Sequence, residues 1–393
     1  MREKFPPTVL ATAFATLIAF MGIGVVDPIL NMIGRAMGAT PYQVEWLFTS
    51  YIAIMALTML LSGVLSVRLG GRKVMLIGLG LVVVFATLSG LSHSISFLAL
   101  ARAGWGLGNA FFSSTALSII VGASTGGMAS SITLYEAALG IGIAAGPLLG
   151  GALGQYSWRF PFFGTSVLMA IALLLTFTLV HEPKRKEQTR SAMDIFRALG
   201  DKGILSNSVV GLCYSFVFFT LLAYSPLTLP KSLGSEALGL TFFGWGLLVG
   251  ISSVFVVNWL RPLFGPTRLL QYNMVALTGV LIAAALVHGT NLIWVIIISG
   301  FFCGIANAMF TTVAMEVSPF ARSISSGAYN FVRWAGAALA PIFAGYIGET
   351  YGMNVPFWVG AGVLVIGLFI SLATNHVVVN GIEQNGDIGA LHS

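Results

Sequence analysis

Long apolar stretches alternate with short polar segments along the whole chain, and this alternation is the strongest pattern in the sequence. A helix needs about 20 apolar residues to cross a bilayer. The pattern therefore predicts an all-α membrane protein with twelve membrane-spanning helices. The predicted spans are residues 8–34, 43–67, 73–92, 94–121, 128–154, 159–181, 204–230, 238–260, 267–287, 291–316, 324–348 and 354–376.

Composition and charge agree with this architecture. Hydrophobic residues make up 57% of the chain and charged residues only 8%, whereas soluble globular domains are about 25% charged. With the N-terminus inside, the predicted outer loops hold only Arg35, Arg159 and Lys231, and the other Lys and Arg residues outside the spans fall on the cytoplasmic side. This positive-inside bias predicts that both termini are cytoplasmic.

The two halves of the chain resemble each other at an offset of about 195 residues, because Gly142–Gly151 aligns with Gly336–Gly345 and Asn109 with Asn307. Parallel six-helix repeats are an architecture of membrane transporters. We therefore expect two pseudo-symmetric six-helix bundles. The predicted parts are an N-terminal bundle at 1–181, a cytoplasmic linker at 182–203, a C-terminal bundle at 204–376 and a polar, disordered cytoplasmic tail at 377–393.

The fifth predicted span carries glycines at regular spacing. Gly142, Gly146 and Gly150 recur every four residues and share one helix face, which lets another backbone approach closely in lipid. Pro147 is expected to bend the helix. Together with Gly151, these residues give the spacing G-x-x-x-G-P-x-x-G-G, which resembles the fifth-helix signature of proton-coupled exporters in the major facilitator superfamily. A lone G-x-x-x-G would indicate simple helix packing.

The loop between the second and third spans carries a further resemblance. It is similar to the superfamily's signature G-x-x-x-D-R-x-G-R-R/K, except that Val67 stands at the acidic position. In the family that carboxylate helps to latch the two halves on the cytoplasmic side, so Val67 leaves the latch without it. The matching positions are Gly63, Arg68, Gly70 and Arg72.

The fourth span contains Arg102, Gly106 and Gly108, which resemble the family's R-x-x-x-G-x-G segment. On these three signatures the chain is identified as a member of the twelve-span drug and metabolite:proton antiporter branch. The resemblance implies a monomeric, multi-pass protein of the bacterial cytoplasmic membrane. Its expected partners are a small-molecule substrate, H⁺ and the lipid bilayer, with the proton gradient as energy source and no cofactor or nucleic acid.

Four ionisable side chains fall well inside predicted spans, and we assign them to proton coupling: Asp27, Arg102, Glu136 and Arg333. A charge at a helix centre costs about 3 kcal/mol on insertion scales, so each is a functional candidate. The alternative is a structural ion pair or a residue near the interface. Asp27 and Arg102 lie at the same depth, ~10 to 12 Å below the outer surface, and are predicted to meet. Asp27 is the candidate proton carrier.

In the resembling family, spans one, four, seven and ten line the substrate cavity. Aromatic walls with a few polar groups suit flat amphipathic ligands, although an aromatic stripe also arises from packing alone. The candidate substrate-binding residues are Tyr214, Phe218 and Tyr224 on span seven, with Asn31, Asn109 and Asn307 on the other spans.

No phosphate-binding loop, metal-ligand spacing or nucleophile elbow occurs in the sequence, and Cys213 and Cys303 fall within apolar spans. An enzyme and a metal site are therefore not expected. The leading hypothesis is a proton-driven exporter of hydrophobic or cationic organic molecules. One alternative is a transporter of a defined metabolite, such as a sugar, amino acid or siderophore, with uptake as a possible direction. Another is a transporter-like receptor or a lipid scramblase.

Overall fold

The computed structural model describes residues 6–123, 127–181, 197–230, 232–318, 320 and 322–391, and these residues form helices joined by short connections, with no strand among them. Twelve helices coincide with the twelve predicted spans, so the predicted all-α architecture is confirmed. They are α1 (Pro7–Met37), α2 (Pro41–Leu69), α3 (Gly71–Gly90), α4 (Ile95–Ala123), α5 (Gly127–Gly154), α6 (Phe160–Leu179), α7 (Lys202–Thr228), α8 (Ser235–Phe264), α9 (Pro266–Leu286), α10 (Asn291–Glu316), α11 (Arg322–Tyr351) and α12 (Val355–Ala373). The chain is a multi-pass membrane protein.

Helix α1 is interrupted near its middle. Its first part ends at Gly24, a 3-10 turn covers Asp27–Ile29, and the helix resumes over Leu30–Met37. Pro28 lies within the turn and has no backbone N–H to give to the helical ladder. The interruption places Asp27 at a break in the helix, in a fully buried position.

Two glycine turns show the internal repeat in the backbone. Gly70 joins α2 to α3 with φ 91° and ψ 142°, and Gly265 joins α8 to α9 with φ 73° and ψ 164°. These positive φ values favour glycine because it lacks a Cβ. The two turns lie 265 − 70 = 195 residues apart, which is the offset of the predicted repeat.

The helix contacts repeat as well. A Cβ added to Gly142 of α5 would lie 2.3 Å from the carbonyl oxygen of Leu17, and one added to Gly336 of α11 would lie 2.3 Å from that of Leu212. Such distances are far below those of real Cβ contacts, so both glycines are sites of direct backbone approach. Each half therefore contains the same helix contact, as the predicted pseudo-symmetry requires.

The fold divides into two compact units. Unit 1 comprises residues 1–191 and 231–247, and unit 2 comprises 192–230 and 248–393. The first part of α8 thus belongs to unit 1. Most of the predicted linker, residues 182–196, lies outside the described residues, and the predicted domain boundaries stay predictions.

The C-terminal segment differs from expectation. The predicted disordered tail from residue 377 is wrong over the described residues, because a helix, α13, runs over Asn375–Leu391. Val378 is buried against Val313 and Val317 in unit 2, and Ile382 packs against the same cluster. The two apolar residues are four apart and lie on one helix face, so an amphipathic helix forms in a segment whose overall composition is polar.

Candidate functional site

The main candidate site lies in unit 1 and is built around Arg102 of α4. This side chain is completely buried. Its Nε donates to the backbone oxygen of Leu47 in α2 at 3.3 Å, and its Nη1 donates to that of Gly22 in α1 at 3.2 Å. The guanidinium therefore binds three helices together through backbone groups.

Aromatic rings fix the plane of the same guanidinium. The Arg102 Cζ lies 4.4 Å from the ring centre of Tyr51 and 4.7 Å from that of Trp105. Both distances are within the range of cation–π attraction. Asn109 donates through Nδ2 to the Tyr51 hydroxyl at 2.5 Å. Asn109, predicted as a substrate contact, is thus buried in the shell that orients Arg102.

Two glycines allow these rings to reach Arg102. A Cβ added to Gly22 would lie 2.6 Å from the Trp105 ring, and one added to Gly106 would lie 2.2 Å from the backbone oxygen of Tyr51. Gly106 lies one turn after Arg102, so it brings the backbone of α2 close enough for the Tyr51 ring to cover the guanidinium. This contact is a physical reason for the R-x-x-x-G spacing in α4.

Two carboxyl groups share this region of unit 1, Asp27 at the break in α1 and Glu45 in α2. Both side chains are 0% exposed. Within the described part of the chain, none of their four oxygens has a hydrogen-bond partner. Arg102 Nη1 binds the backbone oxygen of Gly22, five residues before Asp27 on α1, so α4 contacts α1 near the segment that carries Asp27. Asp27 accepts no hydrogen bond from the guanidinium, and the predicted meeting of the two side chains stays a prediction.

Sequence reasoning missed Glu45. The second span was predicted to begin at residue 43, which placed this carboxylate at the membrane interface. The helix begins at Pro41, and Thr40 and Gln43 form a capping box with hydrogen bonds of 3.0 and 3.3 Å. A Thr followed by Pro at the first helical position and Gln at the third is a readable start signal. It would have placed Glu45 in the second turn.

The glycine face of α5 packs on α1. Three added Cβ atoms would each collide with a backbone oxygen of α1, and the three partners are themselves spaced by four residues. The distances are 2.3 Å from Gly142 to Leu17, 2.5 Å from Gly146 to Met21 and 2.2 Å from Gly150 to Val25. The predicted close approach is present in the structure, and its last contact lies two residues before Asp27.

A second small-residue face of α5 packs on the first part of α8, within unit 1. A Cβ added to Gly151 would lie 2.7 Å from the backbone oxygen of Ser235, and one added to Gly239 would lie 2.5 Å from that of Pro147. The Ser235 hydroxyl donates to the Gly151 oxygen at 3.3 Å. Both faces of α5 are closely packed, while a conformational role for these residues stays a prediction.

Unit 2 holds Arg333 of α11 in a half-buried position. Its Nη2 donates to Asn307 Oδ1 at 2.8 Å and its Nε to the Ser215 hydroxyl at 3.3 Å. The Cζ lies 5.8 Å from the ring centres of both Tyr329 and Trp334. The structure thus joins Arg333, predicted for proton coupling, to Asn307, predicted for substrate binding.

The aromatic residues of α7 lie inside unit 2. Tyr214 is buried, its hydroxyl donates to the Cys303 backbone oxygen at 2.7 Å, and its ring stacks on Phe310 at 5.2 Å. Tyr224 donates to the Met353 oxygen at 3.0 Å, and Phe218 is buried beside Tyr214. These contacts favour the packing interpretation of the stripe, and a role in substrate binding stays a prediction.

Asn31 lines a cavity of about 320 Å³ in unit 1, with Arg35 and Glu236 at its wall. This cavity adjoins the break in α1, because Pro28 also lines it.

The loop signature is only partly described. Arg72 donates to the Phe177 backbone oxygen at 2.7 Å, and Arg68 is exposed. The positions Gly63, Val67 and Glu136 lie outside the residues whose side chains are described, so the structure does not test their predicted roles.

Comparison with known families agrees with this architecture. A model described as Major Facilitator Superfamily matches residues 12–341. The chain belongs to the major facilitator superfamily. The family predicted from the three signatures is therefore confirmed, and the pseudo-symmetric helical units are those of a major facilitator transporter.

Individual relatives span nearly the whole of this major facilitator protein. It is 45% identical over 370 residues to a Bacillus subtilis (strain 168) protein named multidrug efflux protein YfmO, with 93% of each chain covered. It is 22% identical over 388 residues to a Staphylococcus aureus (strain Mu50 / ATCC 700699) protein named quinolone resistance protein NorA, with 95% of this chain and 97% of the relative covered.

Solved structures show the same fold. A bacterial homologue of the human lysosomal transporter Spinster, in an inward-facing and unoccupied conformation, matches with a TM-score of 0.80 at 16% identity, covering 95% of this chain and 97% of the other. A D-xylose-proton symporter matches with a TM-score of 0.75 at 15% identity, covering 93% and 96%. At these identities the likeness concerns the fold alone.

Proposed function

We propose that this protein is a proton-driven exporter of small organic compounds, hydrophobic or cationic, that works by alternating access. The relative named multidrug efflux protein, at 45% identity over 93% of both chains, supports this function. The structural observation that carries it is the buried Asp27 carboxyl group at the break in α1, which has no hydrogen-bond partner among the described residues.

The environment of Asp27 supports exchange between a proton and a cation. A desolvated carboxylate without a hydrogen bond is costly in free energy. A bound proton removes that cost, and the positive group of a substrate removes it as well. Proton and substrate therefore compete for one charge, which is the minimal requirement for antiport.

Arg102 acts in this proposal as a positioning residue. Its guanidinium contributes a fixed positive charge near Asp27, because two backbone oxygens and two rings hold it in place. Moving toward Asp27 would break those contacts. Arg102 thus sets the electrostatic balance between carboxylate and neutral acid without neutralising Asp27 through a direct hydrogen bond.

The proposal also covers the topology, the location, the energy source and the functional unit of the protein. The distribution of Lys and Arg supports cytoplasmic termini, and the relatives' organisms support the bacterial cytoplasmic membrane as the location. The proton gradient is the energy source, no cofactor takes part, and one chain is the functional unit.

Reconstituted vesicles test the function directly. With an imposed pH gradient, wild-type protein is expected to drive ethidium across the membrane against its concentration gradient, and an uncoupler is expected to stop this flux. Asp27→Asn should lose the gradient-driven flux while it inserts and folds normally. If wild-type protein moves no cationic dye under the gradient, or moves it equally well with the uncoupler, the export proposal fails and a defined metabolite becomes the better candidate.

A further inference from the structure

Glu45 is a buried ionisable group that the proposed exchange at Asp27 does not use. It is 0% exposed, and neither of its carboxyl oxygens has a hydrogen-bond partner among the described residues. Glu45 lies two residues before Leu47, whose backbone oxygen accepts from Arg102 Nε, and Arg102 Nη1 donates to the backbone oxygen of Gly22, five residues before Asp27 on α1. Arg102 thus joins the two helix segments that carry the buried carboxyl groups, and α1, α2 and α4 form one charged site in unit 1.

We propose that Glu45 is a second proton-binding group of this site, so that Asp27 and Glu45 share one proton in the empty site and release it when an organic cation binds. The inference rests on the proposed function. It adds Glu45 to the site and states that the two carboxyl groups hold one proton between them, so that neither works alone.

The charge count supports the shared proton. With both carboxyl groups ionised, the site carries one uncompensated negative charge on side chains that are 0% exposed. One shared proton leaves a single carboxylate opposite Arg102 and makes the site neutral. Two protons would leave Arg102 without a counter-charge. Buried charges are stable only when they are compensated, so the neutral state with one proton is the resting state.

The site keeps this balance because several contacts hold Arg102 in place. Its Nε and Nη1 donate to the backbone oxygens of Leu47 and Gly22, and the Tyr51 and Trp105 rings lie 4.4 and 4.7 Å from its Cζ. Among the described residues, the titratable groups in this part of unit 1 include Arg102 of α4 and Tyr51 of α2, whose ring lies against Arg102. Glu136 of α5, whose side chain lies outside the described residues, is therefore included in the test.

Proton release on ligand binding provides the first test. Tetraphenylphosphonium, a hydrophobic monovalent cation, is added to the purified full-length protein in weakly buffered detergent. Wild-type protein is expected to release about one proton per bound cation, and its affinity should then rise about tenfold per pH unit in the range where the proton is displaced.

The variants separate the carboxyl groups. Glu45→Gln and Asp27→Asn should each abolish most of the proton release and flatten the pH dependence of binding. In either variant the remaining carboxylate and the Arg102 guanidinium already form a neutral pair, so the empty site holds no proton to release. Glu45→Asp keeps a carboxyl group at this position and should therefore still release a proton. Glu383→Gln, at an exposed position of α13, is the control and should behave like wild type. Glu136→Gln is measured beside it as the competing candidate for the second group.

A measurement on wild-type protein covers the case in which Glu45→Gln does not fold. Dicyclohexylcarbodiimide modifies protonated carboxyl groups in apolar surroundings, and mass spectrometry locates the adduct. Labelling is expected at both Asp27 and Glu45, and tetraphenylphosphonium should reduce it at both positions.

The outcomes are distinguishable. Wild-type proton release that is unchanged in Glu45→Gln, or carbodiimide labelling that omits Glu45, overturns the shared proton and leaves Asp27 as the single carrier. Loss of release in Glu136→Gln with Glu45→Gln unaffected assigns the second group to α5 instead. If wild-type protein shows neither proton release nor gradient-driven dye flux, the proposed function itself fails.

Discussion

Arg102 shows how a single charged side chain is held inside a membrane-spanning helix. Placing such a charge at a helix centre costs about 3 kcal/mol on insertion scales. Two backbone oxygens and two aromatic rings offset this cost. Each cation–π contact contributes about 2 kcal/mol when it is desolvated. The geometry uses the planar, forked shape of the guanidinium, which an ammonium group does not have.

We therefore expect Arg102→Lys to reduce transport by tenfold or more, although it keeps the positive charge, because it loses the stacking and one of the two backbone hydrogen bonds. Initial rates of gradient-driven ethidium transport in vesicles of equal protein content measure the effect. Arg268→Lys, at an exposed position of α9, is the matched control and should transport normally. Equal rates for the two variants would show that charge alone matters at position 102.

The Gly265 turn gives a second prediction at the scale of one residue. Its backbone, with φ 73° and ψ 164°, lies in a region that residues with a Cβ rarely adopt. A Cβ added there meets no atom within 4 Å, so any destabilisation comes from the backbone. Gly265→Ala should lower the free energy of unfolding by about 1–3 kcal/mol.

Gly279 provides the control in the same unit. It lies in the interior of α9, and an added Cβ there also meets nothing within 4 Å. Gly279→Ala should therefore raise stability by about 0.5–1 kcal/mol through helix propensity. Thermal unfolding in detergent compares the two variants, and a rise in melting temperature for Gly265→Ala would contradict the assigned turn geometry.

At the scale of elements, the contact between α1 and α5 connects the glycine pattern to the candidate site. The backbones touch at Gly142, Gly146 and Gly150, and the last of these contacts Val25, just before the break that holds Asp27. A change in the separation of the two helices would thus move the segment that carries Asp27, the proton carrier in the proposed function.

Gly146→Leu should abolish transport while the protein still inserts in the membrane, because overpacking this contact costs about 1–3 kcal/mol and separates α1 from α5. Gly140→Leu is the matched control on the same helix, since a Cβ at Gly140 meets nothing within 4 Å. Dye efflux from cells at matched expression provides the measurement. If Gly146→Leu exports as well as Gly140→Leu, the contact has no part in transport.

The candidate site was only partly readable from the sequence, for physical reasons that differ between residues. The spans were predictable because membrane thickness fixes their length, and the α1–α5 contact because four-residue spacing defines a helix face. Glu45 was missed because its depth depends on where the Thr40 cap starts α2. The partners of Arg102 were not predictable, because Gly22 and Leu47 contribute backbone oxygens that any residue carries.

At the scale of the whole molecule, the topology can be tested with thiol labelling. Both native cysteines, Cys213 and Cys303, are buried, so they should not react with a membrane-impermeant maleimide. His93→Cys, at an exposed position between α3 and α4, should react in intact cells. His181→Cys, exposed after α6, should react only after permeabilisation. The reverse pattern would place the termini outside.

The backbone contacts shared by the two halves bear on how such a protein evolved. Gly142 against Leu17 and Gly336 against Leu212 are equivalent contacts, whereas Asp27 falls opposite Leu222, 222 − 27 = 195 residues away. Duplication of a six-helix unit would produce such common contacts, whereas the ionisable side chains differ between the halves. Across relatives we therefore expect the paired glycines to be retained. The buried charged residues should instead vary with the ions and substrates that each transporter exchanges.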